Sequence, residues 1–270
     1  MTKFKNKVVL ITGGASGIGK LMGEAALKKG AEKLIIWDIN KKALEEIIKN
    51  SSDKNKIDTY VVDVTNTAQI NSAASEIIGK GLTPDILINN AGVIVGKYFN
   101  EHSLDDINFT IDINVKGPMY VTAAFINEMI RKNASHIVNI ASAAGMLSNP
   151  KMSVYAASKW AVIGWSESVR LEQEKMKTAV KVTTVTPSYI DTGMFSGVKM
   201  NALIPILKPE KVTKKIIRGI EKNKIFVRMP VMVKLLPFLK GVTPVRLFDA
   251  VMGMLGIYDS MNDFKGKNSD

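Results

Sequence analysis

The sequence predicts an α/β fold, a doubly wound parallel sheet of about seven strands with helices on both faces. Three observations predict it. Nearly continuous Val, Ile and Leu runs alternate with helix-period segments through the first two-thirds of the chain. The first run passes directly into a glycine-rich turn, TGGASGIGK. The 270 residues contain no internal repeat and no flexible linker, and they suffice for one large α/β domain with a full core.

The apolar runs, in order, are KVVLIT (7–12), KLIIWD (33–38), IDTYVVDV (57–64), DILINN (85–90), HIVNIAS (136–142) and VKVTTVTP (180–187). IFVR (225–228) is a short seventh. Strands this uniformly apolar are buried on both faces, so helices must cover the sheet above and below. Helix-period segments lie near 17–30, 40–50, 66–80, 103–132, 152–177 and 209–222. Right-handed crossovers then wind the sheet and place ligands at the carboxyl ends of the strands.

Composition removes several chemistries. There is no cysteine, hence no disulfide, thiol catalysis or cysteine metal cage. A histidine metal site or a Ser-His-Asp triad would rest on His102 and His136 alone. His136 opens a strand expected to be buried and His102 lies in a polar turn; both read as surface or internally satisfied residues, and no metal site is expected. The chain enters a strand pattern by Val8, so no signal peptide is expected. No apolar run reaches the roughly 18 residues of a membrane-spanning helix, and the cytoplasm is the expected compartment.

Net charge is +12 and unevenly distributed. Between Pro205 and Phe248, eleven basic residues are opposed only by Glu210 and Glu221, which places +9 of the +12 there. No nucleic-acid module accompanies this charge, and nucleic acid is not an expected partner.

The glycine turn carries the first functional signal. Gly13, Gly17 and Gly19 fall on a strand-to-helix turn, where chemistry would require a tight bend, close backbone approach and a helix N-terminus aimed at a pyrophosphate. Asp38 ends the second strand 19 residues after Gly19, the spacing at which a carboxylate meets the adenosine ribose of a dinucleotide. A carboxylate there repels a 2′-phosphate, so NAD is preferred. Lys20, Lys41 and Lys42 soften that preference, and NADP is not excluded. Asp63-Val64 closes the third strand, where a short carboxylate reaches an adenine amino group. Asn89-Asn90-Ala91-Gly92 closes the fourth, where small residues admit a cofactor and an amide bridges strands. Each of these is also ordinary turn chemistry.

Tyr155 and Lys159, in VYAASKW, sit one helical turn apart on one face. By itself such a pair arises by chance about once in a lysine-rich chain with six tyrosines. The nucleotide site gives it a use. Hydride reduction of a carbonyl needs a proton for the alkoxide, and oxidation needs the reverse. A nearby cation favours the phenolate of a tyrosine whose ordinary pKa is about 10.

Together these residues resemble the short-chain dehydrogenase/reductase family. The correspondence runs from residue 7 to about 195 in family order: TGGASGIG, Asp38, DV at 63–64, NNAG at 89–92, Asn114 in DINVKG, Ser142 in NIASAAG, YAASK at 155–159, and Pro187 leading to Thr192. The resemblance implies a Rossmann-type NAD(P)-dependent oxidoreductase acting on CH–OH donors as a homodimer or homotetramer. It implies Tyr155 as acid/base, Lys159 as its partner and ribose ligand, and Ser142 as the hydroxyl orienting substrate. Asn114 would hold a water between Lys159 and solvent. Cofactor contacts would come from Gly13, Ser16, Gly17, Ile18 and Gly19 in the turn, from Asp38, Asp63 and Val64, and from Asn90, Ala91 and Gly92. Tyr155, Lys159, Pro187, Ile190 and Thr192 complete them. One departure stands out: Ser188 follows Pro187 where the family has glycine, so the backbone there is expected to differ locally.

Within a single domain spanning 1–270, residues 190–225 read as a substrate loop and helix, and 229–270 as an apolar, basic extension. Its Met-rich sequence, punctuated by Pro230, Pro237 and Pro244, is similar to the branch containing retinol and hydroxysteroid dehydrogenases. That similarity implies a lipophilic substrate. Two expectations stand for the extension: it completes the core or a dimer contact, or it lies peripherally on an anionic inner membrane surface. Two rival functions use the same fold: a non-catalytic dinucleotide-binding sensor or scaffold, and a sugar-nucleotide epimerase or dehydratase. The presence of Asn114, Ser142, Tyr155 and Lys159 argues against the first, and the tail against the second.

Overall fold

In the computed structural model, residues 1–199 and 205–266 are described. Seven strands form one parallel sheet: β1 (Val8–Thr12), β2 (Lys33–Asp38), β3 (Ile57–Val61), β4 (Ile86–Asn89), β5 (Ser135–Ile140), β6 (Val180–Pro187) and β7 (Phe226–Met229). Their order is β3-β2-β1-β4-β5-β6-β7, so the winding reverses between β1 and β4. A crevice opens beyond the carboxyl ends of strands at such a point. The helices are α1 (Gly17–Lys28), α2 (Lys41–Asn50), α3 (Thr67–Gly79), α4 (Leu104–Ile111), α5 (Gly117–Ile130), α6 (Ser153–Lys175), α7 (Pro209–Glu221), α8 (Val231–Val242) and α9 (Val245–Met254).

Local chemistry sets many of these boundaries. Asn40 accepts from the Ala43 N–H at the start of α2, and Asn66 accepts from Gln69 at the start of α3. Ser103 and Asp106 cap α4 reciprocally. Pro209 occupies the first turn of α7, where a missing N–H costs nothing. Pro230 and Pro244 immediately precede α8 and α9, so two of the three tail prolines mark helix starts, while Pro237 lies inside α8.

The sheet has a core on each face. On one, α1, α2 and α7 contribute Ile18, Met22, Leu44, Val212, Ile216 and Ile220 against Val9, Ile11 and Ile36 of the strands. On the other, α3, α5 and α6 supply Ile70, Ile77, Val121, Phe125 and Val169 against Leu10, Ile35 and Trp37. β1 is buried along its whole length, which accounts for its uninterrupted apolar sequence.

Several strand ends differ from expectation. β3 stops at Val61, because the Asp63 N–H goes to the Gln69 side chain and the Asp63 carboxylate to Thr65. Asp63 and Val64 therefore lie in the turn after β3. β5 stops at Ile140, leaving Ser142 two residues beyond it. The 103–132 segment contains a π-helical turn at Asp112–Lys116, between α4 and α5. Nothing in the local pattern distinguishes that turn from the helices flanking it. Ser188 has no positive φ, so serine sits there without strain, donating its N–H to the Met229 carbonyl at 2.9 Å.

His136 matches its expectation. Its ring is held between Thr2 Oγ1 (3.0 Å) and Thr183 Oγ1 (2.8 Å), and burial brings its pKa down to about 4. His102 departs from its expectation: both ring nitrogens are shielded from solvent with no hydrogen-bond partner among the described residues, while the ring lies 6.4 Å from that of Phe99.

Candidate active site

The glycine turn crosses the switch point between β1 and β4. Gly13 has φ +61°, and a Cβ there would lie 2.9 Å from the Ala91 Cα. A Cβ on Gly19 would fall onto the Gly13 carbonyl. Gly17, also at positive φ, lies against Thr192, so the loop after β6 meets the turn. Ser16 is the N-cap of α1, whose first N–H groups have no acceptor within the helix. The Ile18 side chain is buried in the core, leaving its backbone to line the turn. This close-packed backbone cradle, rich in free N–H groups, fits a dinucleotide pyrophosphate.

Side chains from three strand ends fix the cradle. Asp38 Oδ2 accepts from the Ala15 N–H at 2.9 Å, and Oδ1 from the Asn40 N–H at 3.0 Å. Asn90 Nδ2 donates to the Thr12 and Gly13 carbonyls at 3.0 and 2.9 Å, and the Thr12 hydroxyl accepts from the Asn90 and Ala91 N–H groups. The bridging amide expected at this strand end is thus Asn90 to β1, with Asn89 reaching Asn139 on β5 at 2.8 Å.

Next to Gly92 the π-helical turn brings Asn114 inward, fully buried. Its Oδ1 accepts from the Val93 N–H and its Nδ2 donates to the Val93 carbonyl, both at 2.9 Å. The same Nδ2 donates to Ser158 Oγ at 3.0 Å, and Ser158 donates to the Tyr155 carbonyl at 2.7 Å. Lys159 Nζ donates to the Ile140 carbonyl at 3.1 Å and lies 5.7 Å from the Tyr155 ring centroid. A Cβ on Gly92 would sit 3.2 Å from Asn114 Oδ1 and 3.5 Å from Lys159 Nζ, so these two groups share one small space.

Ser142 ends the chain segment after β5. Its hydroxyl accepts from the Ala144 N–H at 3.1 Å and approaches the Pro187 carbonyl at 3.5 Å. Tyr155 is 5% exposed, and burial pushes its phenol up to about 12, with the Ser142 hydroxyl pulling in the opposite direction. Burial brings the Lys159 ammonium down to about 8. Burial and a nearby cation thus act in opposite directions on the Tyr155 phenol.

Ser142 also opens onto a cavity of about 750 Å³, mouth included. Its wall is formed by Leu147, Met152, Phe195, Leu236, Leu239 and Met252, among other apolar residues from α8, α9 and the loops. The apolar lining suits a lipophilic organic ligand. Ser188 Oγ and Asn149 Oδ1 are polar atoms of lining residues that are shielded and meet no hydrogen-bond partner among the described residues.

The candidate residues converge, with some in unexpected roles. Ile190 is buried in the core and itself pairs with Leu207 in an isolated parallel bridge. Pro187 pairs with Met229 of β7. Sequence reasoning missed Ser158, Phe195, Asn149 and Tyr189. Ser158 lay in view inside YAASK, as a small polar residue between the two candidates. Phe195 packs edge-on to both Tyr155 (6.3 Å) and Tyr189 (5.0 Å), and its loop is held by residues 260–265. No spacing rule connects segments that far apart. Part of the expected substrate loop, residues 200–204, lies outside the described residues.

Comparison with known proteins bears on this geometry. The family model described as short chain dehydrogenase matches residues 7–202. Epidermal retinol dehydrogenase 2 of Mus musculus is 33% identical over 266 residues, covering 97% of this chain and 86% of that protein. Estradiol 17-beta-dehydrogenase 11 of Pongo abelii is 34% identical over 260 residues, covering 92% and 86%. Among solved structures, a short-chain dehydrogenase/reductase of Burkholderia phymatum in complex with NAD superposes with TM-score 0.78 at 24% identity, covering 94% of this chain and 97% of that one. A short-chain dehydrogenase of Burkholderia cenocepacia J2315 in complex with NADP does so at 0.77 and 25%, covering 94% and 99%.

Proposed function

Because the chain belongs to the short chain dehydrogenase family, we propose that Ser142, Tyr155, Lys159 and Asn114 perform its chemistry on a lipophilic alcohol or ketone. The protein is an NAD(P)-dependent oxidoreductase acting on CH–OH groups. The observation that carries the substrate reading is the cavity, which runs from Ser142 between almost wholly apolar walls. The relatives named for retinol and estradiol support the same class.

A bound nicotinamide supplies or accepts the hydride. The chain's residues do the rest. Gly13, Ser16, Gly17, Ile18 and Gly19 hold the pyrophosphate by their backbone, Asp38 the adenosine ribose, and Asp63 and Val64 the adenine. Asn90, Ala91 and Gly92 leave room alongside, while Pro187, Ile190 and Thr192 flank the carboxamide. The Asp38 carboxylate favours NAD over NADP, and Lys41 is drawn towards Glu45 at 4.0 Å. Ser142 donates to the substrate oxygen. Tyr155 gives its proton to the alkoxide in reduction and takes it back in oxidation. Lys159 binds the ribose, and Asn114 anchors the helix that carries both.

The 190–225 segment and the 229–270 extension, within one domain, shape the substrate compartment. The protein assembles as a homodimer or homotetramer and works peripherally at an inner membrane surface. Among the described residues no helix is long and apolar enough to cross a membrane. The test is a nicotinamide-absorbance screen over steroids, retinoids, long-chain alcohols and sugars, with Tyr155→Phe as control. Turnover of apolar alcohols, lost in the variant, is expected; turnover of sugars alone would overturn the substrate class.

A further inference from the structure

The inner and outer faces of α8 and α9 are both apolar. Inward, Val233, Leu236, Phe248 and Met252 complete a small core, and Leu236, Leu239 and Met252 also wall the Ser142 cavity. This half meets the expectation that the extension finishes the subunit. Outward, α8 exposes Val231, Leu235, Phe238 and Val242, at spacing i, i+4, i+7 and i+11, which is one helical stripe. On α9, Leu247, Val251 and Met254 form a second stripe. These are not glancing exposures: Phe238 is 67% exposed and Met254 82%. Leaving such side chains in water is unfavourable, and stripes of this kind mark interaction surfaces.

Charge decides between occupants. Lys234, Lys240 and Arg246 lie on these helices, with Asp249 the one acidic residue among 231–254, and its carboxylate is engaged by the Tyr258 hydroxyl at 2.8 Å. The wider 205–248 region holds eleven basic residues against two acidic ones. A second copy would bring this excess against itself, whereas anionic headgroups neutralise it. The cavity also reaches this side of the molecule, because Met232 lines it and is 38% exposed.

We propose that the outer faces of α8 and α9 seat the protein on an anionic lipid surface, so that lipophilic substrate passes from the lipid into the Ser142 cavity past Met232. The apolar stripes enter the acyl boundary while Lys234 and Arg246 remain at headgroup level. The seating stands on the exposed stripes and the charge; the substrate route rests on the oxidoreductase reading above.

The experiment takes the full chain with nicotinamide cofactor and floats it with phosphatidylcholine vesicles containing or lacking phosphatidylglycerol. Flotation with the phosphatidylglycerol vesicles alone is expected. Leu235→Asp with Phe238→Asp, and separately Lys234→Glu with Arg246→Glu, are expected to lower bound protein at least about tenfold. Both double variants should keep kcat/KM for a short water-soluble alcohol and lose at least about tenfold for a long-chain alcohol presented in vesicles. Absence of flotation, or equal flotation of the Leu235/Phe238 variant, overturns the seating. A wild-type oligomer that dissociates in that variant, without vesicle binding, assigns the face to a second copy and also overturns it. Normal flotation with equal loss on both alcohols overturns the entry route. A protein that floats but turns over no alcohol fails the oxidoreductase reading while keeping the seating.

Discussion

Asn114 Nδ2 lies 3.0 Å from Ser158 Oγ, and through that hydroxyl the π-helical turn holds the backbone of Tyr155. Nδ2 and Oδ1 also clamp Val93 beyond Gly92. One amide therefore links a strand end, a helix distortion and the first turn of α6. An extra residue within a helical turn is a local irregularity that is often found at functional sites.

Removing the amide should loosen this linkage. Asn114→Ala leaves the part-buried Val93 N–H and carbonyl without side-chain partners, at a cost of about 1 kcal/mol. Ser158→Ala breaks the link to Tyr155 but spares Val93. We expect Asn114→Ala to lower both the melting temperature and kcat, and Ser158→Ala to lower kcat with a smaller change in melting temperature. Calorimetry together with steady-state kinetics separates the two effects. Equal kcat in wild type and both variants would remove the linkage from the mechanism.

Lys159 should set the basic limb of the alcohol-oxidation profile. Burial, more than any other influence, pushes the Tyr155 phenol up to about 12, so a working base requires positive charge nearby. In the cofactor-loaded enzyme, Lys159→Met takes such a charge from beside the ring. The kcat/KM profile for oxidation should then shift to higher pH by about one unit or more. An unshifted profile would confine Lys159 to cofactor binding.

Asp38 should govern the choice of cofactor. Asp38→Asn keeps an acceptor for the Ala15 N–H but loses the negative charge. The ratio of kcat/KM with NAD to that with NADP is expected to fall at least tenfold, equivalent to about 1.4 kcal/mol. A ratio that is unchanged, or that favours NADP in the wild type, would contradict the preference.

His136 gives the fold an acid sensitivity distinct from the chemistry. Its pKa is about 4 in the folded protein against an ordinary 6.5. Between those values the unfolded chain binds a proton that the folded chain does not, so stability falls as pH drops through this window. Its contribution between pH 7 and pH 5 is a loss of about 2 kcal/mol. Urea titrations at both pH values should show that difference for the wild type relative to His136→Gln. Parallel slopes in the two proteins would place the acid sensitivity elsewhere.

Much of this protein is legible along the chain because its determinants are local. Parallel strands buried on both faces write themselves as unbroken Val, Ile and Leu, so the runs at 8–12, 33–38 and 180–187 fall where strands form. A turn needing positive φ and close approach selects glycine, so Gly13, Gly17 and Gly19 are visible as a motif. Tyr155 and Lys159 are related by helical geometry alone. Asp38 follows from its spacing after Gly19 and Asn90 from its strand end, Ser142 and Thr192 from the family order of motifs, and the parallel topology brings these ends to one edge of the sheet.

What the chain alone did not contain depends on segments that meet only after folding. The π-helical turn that turns Asn114 inward leaves no pattern, since the flanking residues suit an ordinary helix equally well. The cover over Tyr155 joins residues 195–199 to 260–265, more than sixty positions apart. The burial of Tyr155 is decided in the same way. Sequence supplies the lysine, while the burial that pushes the phenol up comes from Phe195 and the tail. The tail, too, had two candidate fates in sequence. The tertiary structure divided it, because a helix packed on one side buries only one stripe: Val233, Leu236 and Met252 face the core, and Leu235, Phe238 and Met254 face out.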